Sequence, residues 1–331
     1  MAKIKKISYR NIFHIKKLIS VISSDNIMSY RRLFFLSVPI TFIQNLVYSV
    51  LLRRFTETYV VSDNNNVLKG VISVKAQHGN PYKWQIKRLL LAKNSHEEGK
   101  QLVEYIIAKF GARGVDTFYV AIDDLQHDLI DLFIKGCGFR LCGYETLWHV
   151  TNINFIVEDI NTKFFKPFKD EDAQLAADLF NSTLITHYKY SLSKEKEEFA
   201  DRFFQGLNFE TNFKYTLNDE KSNYIKSFIE IKTLDNVNYF IDTIVPPQYF
   251  ELYPQILSFA VKEILKRTKK FHLYIKNRKY LQGSDQLENF FKENKFELLQ
   301  NNAVLVRDFF KPIKENKSVY NEAVILSGFE I

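Results

Sequence analysis

The sequence predicts an α+β fold in which one order of strands and helices occurs twice along 331 residues. First, short apolar segments alternate with amphipathic segments of helical period, as in a mixed sheet flanked by helices. Second, FIKGCGFRLCG at 133–143 and FKENKFELLQ at 291–300 both lead from a helix into a strand. An internal repeat of about 155 residues explains both observations. We therefore divide the chain into a first half (1–152), a second half (160–310) and a tail (311–331).

The first half is predicted to begin with a strand at 3–9, a helix that Asn11 caps, and one or two helices within 28–54. Strands are then predicted at 57–63, 67–77, 84–91, 116–122 and 139–150, and helices at 100–110 and 126–135. The helix at 100–110 has the clearest signal, because Leu102, Ile106 and Phe110 recur every four residues and Gly111 follows them. The order describes an antiparallel meander joined to a strand–helix–strand unit.

The second half repeats this plan. Strands are predicted at 163–168, 212–217, 223–233, 237–245, 271–276 and 296–307, and helices from Asp170 onward and at 186–206, 250–266 and 286–292. In the tail, the apolar piece 323–327 is a possible additional strand at a sheet edge.

The charge is uneven between the halves. Residues 1–150 contain 21 Lys and Arg against 12 Asp and Glu, which gives +9, and the remainder contains 25 against 26, which gives −1. A basic half suits a phosphorylated ligand, a nucleic acid or an anionic membrane, although a soluble domain is also basic without any such partner.

One apolar run, residues 33–52, approaches the length of a membrane span. Pro39, Gln44 and Asn45 interrupt it, and both of its flanks are basic. We expect a buried helix pair, with peripheral membrane contact or a true membrane span as the alternatives. The basic start has no apolar signal core after it, and Cys137 and Cys142 are too few for a disulfide framework. These features favour the cytoplasm and buried thiols. The histidines lack metal-ligand spacing, so no metal site is expected.

Three segments carry a resemblance to a known family: LKGVISV at 68–74, IKRLLLAKNSHEEGKQLVEYII at 86–107 and FYVAIDDLQHDLIDLFIKGCGF at 118–139. Their order and the Gly138-Phe139 ending resemble the GCN5-related N-acetyltransferase (GNAT) superfamily. The resemblance implies two tandem acyl-CoA N-acyltransferase-like domains. In this family the fourth strand splays from the fifth, and acetyl-CoA lies in the opening.

The resemblance also implies where the cofactor would bind. The family's pyrophosphate loop has the pattern Gln/Arg-x-x-Gly-x-Gly/Ala; Gly99 matches its last position, whereas Asn94 and Glu97 replace the first residue and the middle glycine. The implied cofactor-binding residues are Leu89, Leu90, Leu91, Asn94, Ser95, His96, Glu97, Glu98, Gly99 and Lys100. Acidic side chains beside a pyrophosphate are unfavourable, so weak affinity is expected.

Acetyl transfer to an amine needs a base, an oxyanion donor and an acid for the thiolate. The family's oxyanion donor is a backbone N–H of the fourth strand, here within 88–90. Its acid is often a tyrosine four residues before the Gly-Phe pair, where this chain has Ile134. The candidate bases are Glu57, Asp123, Asp124 and Glu145, each of which is also an ordinary surface carboxylate.

The corresponding loop of the second half is Pro246-Pro247-Gln248-Tyr249, in which proline offers no N–H to a phosphate. We therefore expect a degenerate second site, although Asn277 matches an asparagine that often follows the family's fifth strand.

Three functions fit the sequence. The first is an N-acetyltransferase that uses acetyl-CoA in the first half and acts on a small-molecule or peptide amine. The second is a non-catalytic tandem GNAT-like binding module. The third is tRNA-dependent aminoacyl transfer, although a nucleic-acid partner is otherwise not expected.

Overall fold

Residues 3–7, 57–77, 79–153, 155–157, 160, 162–200, 211–218, 224–233 and 235–309 are described by the computed structural model. The strands of the first half are β1 (Lys3–Lys6), β2 (Glu57–Ser62), β3 (Leu68–Gln77), β4 (Asn80–Leu91), β5 (Thr117–Asp123) and β6 (Arg140–His149). Those of the second half are β7 (Phe165–Pro167), β8 (Thr211–Asn218), β9 (Ile225–Thr233), β10 (Asn238–Ile244), β11 (His272–Arg278) and β12 (Glu297–Asp308).

The α-helices of the described residues lie between these strands. They are α1 (His96–Gly111), α2 (His127–Asp131), α3 (Ala173–Thr183), α4 (Lys189–Leu192), α5 (Tyr253–Leu265) and α6 (Ser284–Glu293). A π-helical turn, Leu132–Gly136, continues α2, and short 3-10 helices occur at Thr162–Phe164, Asp170–Asp172, Thr186–Tyr188, Lys196–Glu198 and Pro247–Leu252. No helix in the described ranges is both long and apolar enough to cross a membrane.

The strands form one mixed sheet in the order β1-β2-β3-β4-β5-β12-β6-β11-β10-β9-β8-β7. In each half an antiparallel meander ends in a parallel pair, β4 with β5 and β10 with β11. A parallel pair needs a crossover, and α1 and α5 provide it. The predicted α+β class with strands in both halves is thus confirmed.

The two halves exchange their last strands, which the sequence does not predict. β12 lies between β5 and β6, and β6 lies between β12 and β11. At the centre Glu145 of β6 is opposite Asn302 of β12. Asn302 in turn pairs with Asp123 of β5, and Glu145 pairs with Arg278 of β11. This register relates the halves by a pseudo-twofold axis between β6 and β12, and each half needs the other to complete its sheet.

The sheet separates three apolar clusters. One lies between the first-half strands and α1, with Phe110 and Phe118 fully buried. The second lies between the second-half strands and helices α5 and α6. The third packs α3 against the opposite face of the centre of the sheet. Because burying one such side chain contributes about 1.5–3 kcal/mol, these clusters fix which face each strand presents.

Several predicted boundaries need correction. Helix α1 begins at His96 rather than at residue 100, because Gly99 donates its N–H to Ser95 O (3.0 Å) and already closes a helical turn. The described part of the helix predicted at 186–206, residues 186–200, is broken into short helical turns, since Ser193 has an extended ψ of 148°; residues 201–206 lie outside the described residues. The apolar run at 33–52 and the tail strand at 323–327 lie outside the described residues.

Candidate functional site

β4 and β5 part soon after they begin to pair. Their parallel ladder contains Lys83–Thr117, Trp84–Phe118 and Gln85–Tyr119, although β4 continues to Leu91 and β5 to Asp123. Beyond Gln85 and Tyr119 the described residues give β4 no ladder partner on that side. We call this gap the first-half opening. On this side of the sheet, the end of β4 from Leu89 to Leu91 faces the opening without a ladder partner among the described residues.

A bulge in β4 lies close to the point where the strands part. Ser73 of β3 pairs with Arg88 and Val74 pairs with Ile86, so Lys87 is an extra residue in β4. A bulge re-aims the backbone and side chains locally and is common beside active sites. The predicted oxyanion donors, residues 88–90, follow it directly.

Helix α1 begins beyond the end of β4, at the mouth of the first-half opening. Asn94 turns the chain with a positive φ of 58°, and the buried Ser95 is the N-cap. The first N–H groups of a helix have no intrahelical acceptor, which leaves those of His96, Glu97 and Glu98 at this end. Such a terminus attracts anions, but the carboxylates of the first turn oppose that attraction.

Gly99 has a packing role that the sequence does not reveal. It is buried within α1, and a Cβ there would lie 2.5 Å from Leu91 Cδ1 and 3.1 Å from Leu132 Cδ1. The glycine therefore allows α1 to pack closely on β4 and on the π-helical turn. This contact explains Gly99 without a phosphate, in contrast to the role that the motif implied.

The remaining cofactor candidates form one continuous stretch from β4 to α1. Leu89 and Leu91 point into the first-half core, so only their backbone faces the opening, whereas Leu90 is half-buried. Around the turn, Asn94 and Glu97 are exposed, while the other candidates at the start of α1, His96, Glu98 and Lys100, are half-buried.

The candidate base Glu57 lies away from the first-half opening. It is on β2, so β3 and β4 stand between it and β5. Lys6 Nζ donates to it at 2.8 Å, and Tyr59 OH also donates to it. Burial raises its pKa, but these hydrogen bonds outweigh burial and hold the pKa below its usual value. Glu57 thus links β1 to β2.

Asp123 and Asp124 lie at the end of β5 and tie it to β12. Gln300 Nε2 donates to Asp123 at 3.1 Å, and Asn301 Nδ2 donates to Asp124 at 2.6 Å. Asp123 also accepts from the backbone N–H of Leu125 at 3.1 Å. These hydrogen bonds hold the end of β5 against β12, beside the first-half opening.

Glu145 belongs to a group that we call the central ionic cluster: Glu145, Arg278 and Tyr280, which are buried, and Asp242 and Lys276, which are half-buried. Lys276 Nζ donates to Glu145 at 2.7 Å, and Tyr280 OH donates to its other oxygen. Arg278 donates with two nitrogens to both oxygens of Asp242. Burial alone would raise the pKa of both carboxyl groups, but the adjacent cations hold it below the usual values.

The four base candidates therefore do not converge. Of the four, Glu145 alone is in the central ionic cluster, whose other members come from the second half. The sequence signal for this cluster is the charge within two apolar strand segments, Asp242 in YFIDTIV and Lys276 and Arg278 at alternate positions of LYIKNR. Strand alternation places Lys276 and Arg278 on one face, and the β10–β11 register places Asp242 beside Lys276. Asn277 points to the other face, where it donates to Ser284 O at 3.0 Å and links β11 to α6. Contrary to the prediction, it lies inside the fifth strand.

The strands that correspond to the opening stay together in the second half. β10 and β11 form five parallel pairs, from Asn238–His272 to Asp242–Lys276, and the Arg278–Asp242 contact joins their ends. A 3-10 helix that begins at Pro247 leads into α5, which carries Pro254 in its first turn. In the second half the parallel ladder thus continues to Asp242, two residues before β10 ends, and Pro254 offers no N–H at the start of α5.

Both thiols are buried and free, as predicted. Burial raises the pKa of Cys137 to about 12, which removes it as a nucleophile. Within the ranges that the structure describes, no three His, Cys, Asp or Glu side chains converge on a possible metal position.

Known structures share this arrangement. A tandem GNAT protein from the clavulanic acid biosynthesis pathway superposes on 93% of this chain and 98% of its own, with a TM-score of 0.59 and 8% identity. The fold is that of a tandem GNAT protein. A GCN5-related N-acetyltransferase from Sphaerobacter thermophilus matches over 93% and 95%, with a TM-score of 0.58 and 10% identity. A probable N-acyltransferase from Enterococcus faecalis V583 matches over 93% and 72%, with a TM-score of 0.51 and 10% identity.

Sequence comparisons give no such match: no family model and no curated protein matches the chain. The tandem GNAT fold therefore stands on the arrangement of strands and helices.

Proposed function

We propose that the chain is an N-acetyltransferase that binds acetyl-CoA in the first-half opening and transfers the acetyl group to an amine. The observation that carries the proposal is the early separation of β4 from β5, after which Leu89 to Leu91 have no described ladder partner on that side, beside the start of α1. An extended amide-bearing arm fits such an edge, because it supplies the hydrogen bonds that a neighbouring strand would have made.

The residues of the first-half opening fit acetyl-CoA in part. The backbone of residues 88–91 suits the pantetheine amides, and the N–H groups of His96, Glu97 and Glu98 suit a pyrophosphate. The carboxylates of Glu97 and Glu98 oppose it, so we expect a Kd of tens of micromolar, or about −6 kcal/mol. Bound acetyl-CoA would supply the activated acyl group.

Titration calorimetry with acetyl-CoA tests the proposal, with Glu97→Gln as the informative variant. Removing one like charge at the start of α1 is expected to tighten binding about two- to fivefold, the size of an exposed helix-terminus effect. Glu104→Gln is the matched control, because it removes the same charge from the same helix two turns farther on and should leave affinity unchanged. No binding by the wild type or by Glu97→Gln would reject the acetyl-CoA proposal.

The binding module remains the second candidate, because the aliphatic Ile134 stands where the family often has its acid. That side chain packs against the first-half core and donates no proton. Acetyl-CoA binding without acetyl transfer to any amine in a panel would favour this candidate. Salt-sensitive tRNA binding without acetyl-CoA binding would instead favour aminoacyl transfer.

A further inference from the structure

Among the described residues, Lys194 of the second half has no ion-pair partner, unlike the charged side chains around it. Lys194 follows α4 in the stretch 193–198, which crosses from the second half to the first. Ser193 O accepts from Lys83 Nζ at 2.7 Å, and Glu198 accepts from Gln77 Nε2 at 3.3 Å. Lys83 and Gln77 belong to the β3–β4 hairpin, so this stretch joins the two halves.

The backbone of Lys194 is fixed from both sides. Its N–H donates to Asn181 Oδ1 at 2.9 Å, and its carbonyl accepts from Asn181 Nδ2 at 2.8 Å. The ammonium lies 4.5 Å from the ring centre of Phe180 and 5.2 Å from that of Phe199. The side chain is half-buried and held in one place.

Each carboxylate near Lys194 is already paired with another cation. Asp242 is paired with Arg278, Glu230 with Lys232 at 2.7 Å, and Glu198 with Lys83 at 3.8 Å. Among the described residues no side-chain or backbone oxygen accepts a hydrogen bond from Lys194 Nζ. The amine is therefore fixed but not used in an ion pair or a hydrogen bond.

We propose that Lys194 is an acylation site, whose amine takes an acyl group from a thioester such as acetyl-CoA. The nitrogen lone pair attacks the thioester carbonyl carbon, a C–N bond forms, and the C–S bond breaks. CoA leaves as the thiolate, and the nitrogen loses a proton to water. This modification is independent of the acetyl-CoA site proposed above, because any soluble thioester supplies the acyl group.

Electrostatics favour this reaction. The groups that face the amine are Arg278 on β11, Asp242 on β10, Glu230 on β9 and Glu198. Burial, reinforced by the Arg278 charge, lowers the pKa of Lys194 to about 8 against the opposing carboxylates. At pH 7.5 about a quarter of such an amine is neutral, compared with about one in a thousand for an ordinary lysine.

Site-resolved mass spectrometry of the full chain with acetyl-CoA tests the proposal. Lys189 is the matched control, since it is exposed and only five residues away. At pH 7.5 Lys194 should be acetylated at least about tenfold faster than Lys189, and its rate should level off above pH 8.

Two controls separate the site from general reactivity. Urea-unfolded chain should lose the difference between Lys194 and Lys189, because it depends on the folded surroundings. Lys194→Arg keeps the charge above the rings and should leave labelling of other lysines unchanged. Equal rates for the two lysines at pH 7.5, or a Lys194 rate that still rises steeply above pH 8, would overturn the proposal. Fast labelling of Lys194 without acetyl-CoA binding by calorimetry would uphold it and reject only the acetyltransferase proposal.

Discussion

The two halves repeat one topology but treat the same place in it differently. In the first half β4 and β5 share three pairs and then separate, whereas in the second half β10 and β11 share five and are joined by Arg278 and Asp242. The helix starts differ as well. The fourth residue of α1 is Gly99, and the fourth residue of α5 is the buried Ile256. One topology is thus compatible with an early separation of the parallel strands in the first half and a longer pairing in the second.

The largest effect should come from breaking the contact that closes the second half. Arg278→Ala leaves Asp242 and Glu145 without their nearest guanidinium in a buried setting, which should cost about 3–5 kcal/mol of unfolding free energy. Arg278 is only 7% exposed, so solvent does not replace the lost partner. Urea denaturation measures the change.

Asp123→Ala is the control from the other half, because Asp123 occupies the register position that corresponds to Arg278. It loses hydrogen bonds rather than a buried ion pair and should cost about 1–2 kcal/mol. Equal costs for the two variants would contradict the difference between the halves.

A smaller effect should come from the helix contact in the first half. Gly99→Ala places a methyl group against Leu91 and Leu132 and should cost about 1–2 kcal/mol, since overpacking exceeds the gain in helix propensity. Gly111→Ala, in the same helix, meets nothing within 4 Å and should be neutral or slightly stabilising. Thermal unfolding of both variants checks this. A stabilised Gly99→Ala would mean that packing does not explain the glycine.

The smallest effect should appear in the unfolding free energy as the pH is lowered. The pKa of Asp242 and of Glu145 is depressed in the folded chain, so their contribution is complete above about pH 5 and is lost as pH falls below about 4. Arg278→Met with Asp242→Asn removes one of these carboxyl groups. This double variant should therefore lose about 1 kcal/mol less between pH 7 and pH 3 than the wild type. Identical slopes in urea titrations would show that the cluster does not titrate in this way.

Local sequence signals were sufficient for the elements but not for their long-range partners. Apolar runs and helical periods located most of the described strands and helices to within a few residues, as with β3 and α1, but not the broken helical segment that begins at residue 186. The exchange of β6 and β12 had no local signal, because pairing between residues about 157 apart, such as Glu145 and Asn302, leaves the alternation of each strand unchanged.

The site was predictable where it depends on backbone and not where it depends on side chains. The strand, turn and helix start at 84–99 were recognisable from the apolar run and Asn94. The packing role of Gly99 depends in part on Leu132, which is 33 residues away in the sequence, so local residue spacing does not predict this contact. Likewise, the sequence indicates only surface carboxylates at Asp123 and Asp124, because their hydrogen-bond donors, Gln300 and Asn301, come from the distant strand β12.

The central claim is that the first-half opening binds acetyl-CoA and that the corresponding strands of the second half do not. Hydrogen–deuterium exchange with and without acetyl-CoA tests it directly, because ligand bonds to an unpaired strand edge slow amide exchange there. The account predicts slower exchange within residues 86–99 and no change within residues 238–253. Protection within 238–253, or no protection in either stretch at saturating acetyl-CoA, would contradict it.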